Sequence, residues 1–165
     1  MGQRVQLLVK AKIVDTTSVM EKVVCYHNQW GIGKNIWKDV IALLLKNIRD
    51  DNDMIGFPYK LVKGWNTNEA DELEDDLLQI NFDSKEDIEK FVNEHCDMDD
   101  GVVVLQVTTD QYGYIEQGKL TIYDSDFNEI TYDTWYDVCS CREYQDEDFD
   151  AAFKHIAKMY NINYK

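Results

Sequence analysis

The chain has 165 residues, 44% hydrophobic and 12% aromatic, with one proline and a formal net charge of −15 at pH 7. A chain of this size and composition buries enough apolar surface to fold without a disulfide framework or a structural metal, and it is not disordered despite its charge. No run approaches the roughly 18 apolar residues of a membrane span, and no apolar leader follows Met1, so the expectation is a cytoplasmic protein without a membrane role.

Residues 4–13 alternate, with Val5, Leu7, Val9, Ala11 and Ile13 on one face and Arg4, Gln6, Lys10 and Lys12 on the other. That pattern predicts a half-buried strand. Asp15-Thr16-Thr17-Ser18 reads as a turn, and residues 20–27 return as a second strand of an N-terminal hairpin. After the break at Gln29 to Gly33, Trp37, Val40, Ile41, Leu44, Leu45 and Ile48 carry the spacing of a buried helical stripe. Residues 54–68 read as a loop punctuated by Gly56, Pro58 and Gly64.

A second helix is predicted from Glu69, with Ala70, Leu73, Leu77 and Ile80 inward. Ser84 suits the N-cap of a third, with Glu86 and Asp87 in the first turn where the helix dipole favours anions, and Ile88, Phe91, Val92 and Cys96 facing inward. The turn at 97–101 leads to an unbroken apolar run, Val102 to Val107, expected of a central strand covered on both faces. Residues 119–123 and 129–136 read as two further strands, and residues 147–160 as a last helix. The order ββαααβββα predicts one α+β domain, a largely antiparallel sheet of about five strands with about four helices. It divides into a hairpin and helix (1–68), an acidic helical segment (69–100), and a sheet with the C-terminal helix (101–165).

Charge is polarised along this order. Residues 1–68 carry six acids and ten bases, residues 69–100 fourteen acids and two bases, and residues 101–165 twelve acids and five bases. Acids packed this densely repel one another, so the middle cluster calls for more than solubility as its explanation.

Motifs for other chemistry are incomplete. Gly31-Ile32-Gly33-Lys34 lacks the earlier glycine and the following hydroxyl of a phosphate loop, with Asn28 and Asn35 in those places. Asp124, Asp126 and Asn128 match the first three calcium-loop positions, but Glu129 and Trp135 stand where glycine and glutamate belong. Asp97-Met98-Asp99-Asp100-Gly101 fails in the same way, and local Asx turns account for both. Cys139 and Cys141 have no second close pair of ligands, so no metal and no cofactor is expected. Cys25 and His27 share a strand face without a readable oxyanion device, and are taken as hairpin or core residues rather than catalytic ones.

The acidic helices carry the sharpest functional signal. Residues three and four apart on a helix lie about 5–6 Å apart at Cβ, near the spacing of successive phosphates, so Glu72, Asp75 and Asp76, then Glu86, Asp87 and Glu89, form clusters able to imitate a nucleic-acid backbone. Asp99, Asp100, Asp146, Glu147 and Asp148 extend the set, with Trp65, Tyr112, Tyr114 and Trp135 as candidate aromatic anchors. Such a surface is expected to bind a basic protein and not DNA itself, although Arg4, Lys10, Lys12 and Lys22 give the hairpin a basic face.

The stretch Tyr26-His27-Asn28-Gln29-Trp30-Gly31-Ile32-Gly33-Lys34, after a strand opening Arg4-Val5-Gln6, resembles small acidic proteins of phages and mobile elements, among them anti-CRISPR inhibitors of type II systems. The resemblance implies a non-enzymatic inhibitor in a host cytoplasm. Its target would be a CRISPR effector nuclease with its guide RNA, whose basic channel and PAM-reading arginines the acidic surface would occupy. An immunity or antitoxin-like protein neutralising a cationic toxin, and a small enzyme, are the alternatives.

Overall fold

The computed structural model describes residues 5–28, 66–67, 70–96, 101–112, 114–134 and 147–165. They form one α+β domain around a seven-stranded mixed sheet. Its strands are β1 (Val5–Val14), β2 (Val19–Asn28), β3 (Asn66–Thr67), β4 (Val102–Asp110), β5 (Ile115–Tyr123), β6 (Glu129–Ile130) and β7 (Ile162–Asn163). The helices are α1 (Ala70–Gln79), α2 (Lys85–His95) and α3 (Glu147–Met159). The order across the sheet is β3-β2-β1-β4-β5-β6, with β7 also pairing β5. The predicted helix at 37–48, the Gly31–Lys34 turn and the first four residues of the turn at 97–101 lie outside the described residues.

The N-terminal hairpin forms as expected, with Val14 opposite Val19 and Asp15 N–H donating to Ser18 O. The sheet is largely antiparallel, as expected, with a parallel pair at its centre. β1 pairs β4 in parallel, Leu8 against Val104 and Lys10 against Gln106, while β2 and β5 flank this pair antiparallel. Parallel neighbours require a crossover, and here the chain between β1 and β4 includes α1 and α2.

The half-buried reading of β1 holds over residues 10–13, where Lys12 is exposed between buried Ala11 and Ile13, and is corrected at the start of the strand. Gln6, Leu7, Leu8 and Val9 are all fully buried, because the centre of the sheet is covered on both faces. On one face Leu8, Val23, Cys25, Val102, Val104 and Tyr123 pack against Leu77 of α1, Ile88, Phe91 and Val92 of α2, and Phe82 between them. On the opposite face Leu7, Val9, Ala11, Val103 and Leu105 are equally inaccessible.

The predicted strand at 129–136 stops at Ile130, and residues 132–134 are helical. Thr131 explains the switch, since its Oγ1 accepts from Thr134 N–H at 3.1 Å and so caps a helical turn that strand propensity alone would not form. Beyond it, Tyr132 stacks on Phe153 of α3 at 4.5 Å, and Tyr164 meets both rings edge-on. Tyr132 N–H donates to Lys165 O at 2.7 Å, which brings the C-terminal strand β7 back against β5.

Candidate interface: the acidic helix pair and a lysine-lined cavity

The helix pair is fixed from below by apolar residues at helical spacing and from within by its connecting loop. Ser84 takes extended backbone angles as the N-cap of α2 and its Oγ accepts from Asp87 N–H at 3.2 Å. The Asp87 carboxylate accepts from Asn81 N–H at 2.9 Å, and Asn81 Oδ1 from Asp83 N–H at 2.9 Å. Ser84 Oγ also donates to Glu86 at 3.3 Å. Residues 81–87 thus satisfy backbone donors at a helix start that would otherwise lack partners.

The expected acids divide accordingly. Asp75, Asp76 and Glu86 are exposed, while Asp87 and Glu89 are half-buried, and Asp87 serves the loop as well as the surface. Glu72 lies in α1, and Glu147 and Asp148 open α3, where the structure describes the backbone alone; Asp99, Asp100 and Asp146 lie outside the described residues. Tyr112 and Tyr114 are exposed at the β4–β5 turn, and Trp65 and Trp135 lie outside the described residues.

Asp76 of α1 and Asp87 and Glu94 of α2 meet along a groove of about 420 Å³ between the helices, which Ile80, Lys90 and His95 also line. His95 Nε2 is 3.7 Å from Asp76 and 4.0 Å from Glu94, and its ring lies 5.0 Å from that of Phe91. A groove with carboxylates on both walls and a partly apolar floor accepts a lysine or arginine side chain, stem and head together.

A second concavity was only half legible in the sequence. Lys10, Gln106 and Lys119 stand in one row across β1, β4 and β5, and Lys12, Thr108 and Gln117 in the next. With Glu21, Asp83 and Asn163 they line an open cavity of about 380 Å³. Lys10 Nζ is 3.3 Å from Glu21 and sits 5.4 Å from the centre of the Phe82 ring. Lys119 Nζ donates to Asp83 Oδ1 at 2.7 Å and Gln106 Nε2 to the same oxygen at 3.1 Å. Those two contacts, the lysine's first, hold the Asp83 carboxyl below its ordinary range. Lys10 and Lys12 were legible as the basic face of the hairpin. Lys119 was not, because only the parallel β1–β4 pairing brings β5 within reach.

The remaining motifs resolve locally. Asp124 Oδ1 accepts from Asp126 N–H and Asn128 N–H, each at 2.9 Å, so the calcium-like sequence is an Asx turn. Among the described residues no three or more His, Cys, Asp or Glu side chains are grouped as metal ligands, and no helix is long and apolar enough to cross a membrane. Comparison with protein-family models, with curated proteins and with solved structures finds no match to this chain.

Proposed function

We propose that this protein is a non-enzymatic inhibitor that binds a basic nucleic-acid-binding protein through the outer face of α1 and α2. The observation that carries the reading is the seating of the acids. Asp75, Asp76 and Glu86 are exposed on two short helices whose undersides, through Leu77, Ile88, Phe91 and Val92, are locked into the sheet core. A rigid acidic face loses little entropy on docking and fits a Lys/Arg-lined groove built for phosphates. Release of counterions from that groove would drive association and make it salt-sensitive. An RNA-guided DNA endonuclease is the target class with such a groove that the sequence resemblance suggests.

The test is inhibition and capture of a purified type II effector nuclease with guide RNA, at about 0.05 M and about 0.3 M salt. Binding should weaken steeply with salt. It should fall at least about tenfold in a combined Asp75→Asn, Asp76→Asn, Glu86→Gln, Glu89→Gln variant, whose fold is checked by circular dichroism. Asp87 is left intact because it holds the α1–α2 loop. Unchanged binding by that variant removes the acidic face from the interface.

A further inference from the structure

Cys25 sits on β2 and Cys96 is the C-cap residue of α2, and their sulfur atoms lie 3.8 Å apart although 71 residues separate them in the chain. Cys25 is buried at 3% exposure within the core cluster, beside the fully buried Gln6, whose Oε1 is 4.0 Å from the Cys25 sulfur. Cys96 is partly exposed and packs against the rim of that cluster. Its backbone is extended beyond the last helical turn, and its N–H donates to Val92 O at 2.8 Å.

We infer that Cys25 and Cys96 are a dithiol poised to form a disulfide, a two-electron oxidation site that joins the sheet to the end of the acidic helix pair. A disulfide needs sulfurs about 2.05 Å apart, so the pair must close by only about 1.8 Å. Cys96 is the better placed to move, because the α-helix has ended at His95 while Cys25 is held within a strand. Two small apolar side chains would also pack here as thiols. What distinguishes the pair is that a buried cysteine and a partly exposed one bring their sulfurs together, as a resolving thiol and an attacked thiol require.

With a peroxide as oxidant the balance closes. The Cys96 thiol gives up its proton, the resulting thiolate attacks one peroxide oxygen as the O–O bond breaks, and the departing hydroxide takes up that proton as water, leaving a sulfenic acid on Cys96. The Cys25 sulfur then displaces hydroxide from the Cys96 sulfur, the S–S bond forms, and the thiol proton leaves with the hydroxide as a second water. Two thiols lose two electrons and hydrogen peroxide gains them.

The test uses the whole chain with Cys139→Ser and Cys141→Ser, so that only these two thiols remain, treated with hydrogen peroxide and read by intact mass and peptide mapping. The expected result is a loss of 2 Da, reversed by dithiothreitol, with a Cys25–Cys96 cross-linked peptide. The thermal midpoint should be higher in the oxidised form, because the cross-link restricts the unfolded chain. A further Cys96→Ser change should abolish the mass loss and leave the midpoint unmoved by peroxide. Accumulation of +16 or +32 Da species without a cross-link, an unchanged mass under peroxide, or a cross-link that lowers the midpoint would each overturn the inference.

Discussion

Lys119 Nζ on β5 reaches Asp83 Oδ1 in the α1–α2 loop at 2.7 Å, and the contact ties the acidic helix pair to the polar half of the sheet. Both side chains are more than half exposed, so the pair adds under about 1 kcal/mol, and Asp83→Asn should cost no more than that. Its pH dependence is diagnostic. The folded carboxyl titrates below its ordinary value of 3.8, so the stabilisation is present above about pH 4 and is lost as pH falls through the folded value. Urea midpoints of wild type and Asp83→Asn should therefore differ near neutrality and converge on acidification below about pH 4.

Leu8 is the residue of β1 in the core cluster that includes Leu77 of α1 and Ile88, Phe91 and Val92 of α2. It is fully buried, paired with Cys25 on one side and Val104 on the other. Leu8→Ala should destabilise by about 2–5 kcal/mol in urea unfolding, whereas Val14→Ala, at a site 37% exposed, should cost well under about 1 kcal/mol. Similar costs at the two sites would mean the helix pair does not seal that face.

Ser84 starts α2 through a bond to Asp87 N–H. Ser84→Ala should cost about 1 kcal/mol and Ser84→Asp should restore most of it, since aspartate offers the same acceptor. Guanidinium titration of the three proteins measures this directly.

Gly101 precedes β4 with φ of +104°, and a Cβ there would run into the backbone carbonyl oxygen of Tyr123. The carbonyl of Gly101 also accepts from Gln6 N–H at 3.4 Å, at the start of the β1–β4 pairing. Gly101→Ala should therefore cost more than the roughly 1–3 kcal/mol of backbone strain alone, visible as a large drop in thermal midpoint. A near-neutral result would show that β5 can shift at Tyr123 without loss.

The local signals in this chain were strong where one residue's chemistry dictates one geometry. Ser84 followed by Glu86 and Asp87 marked a helix start, and the structure uses that serine as the cap. Ile88, Phe91 and Val92 marked the buried face of α2, and Asp124 with Asn128 marked an Asx turn. At 129–136 the same reasoning failed, because β-branched and aromatic residues suggest a strand while the hydroxyl of Thr131 caps a helical turn. Competing local propensities of similar size are decided by packing, here the stacking of Tyr132 on Phe153.

By itself, then, the sequence determined the hairpin, the positions of the two acidic helices and the outward placement of Asp75, Asp76 and Glu86, because 3.6-residue and two-residue periodicities are properties of the local chain. Only the tertiary structure decided that β1 lies parallel to β4. That pairing sets β1 at the centre of the sheet, where its first half is buried on both faces, puts Lys119 in line with Lys10, and brings β1, β4 and β5 together along one cavity. The packing of α2 on the sheet in turn brings the Cys96 sulfur to Cys25. Strand order is a matter of long-range packing, in which residues far apart in the chain become neighbours, and no local period records it.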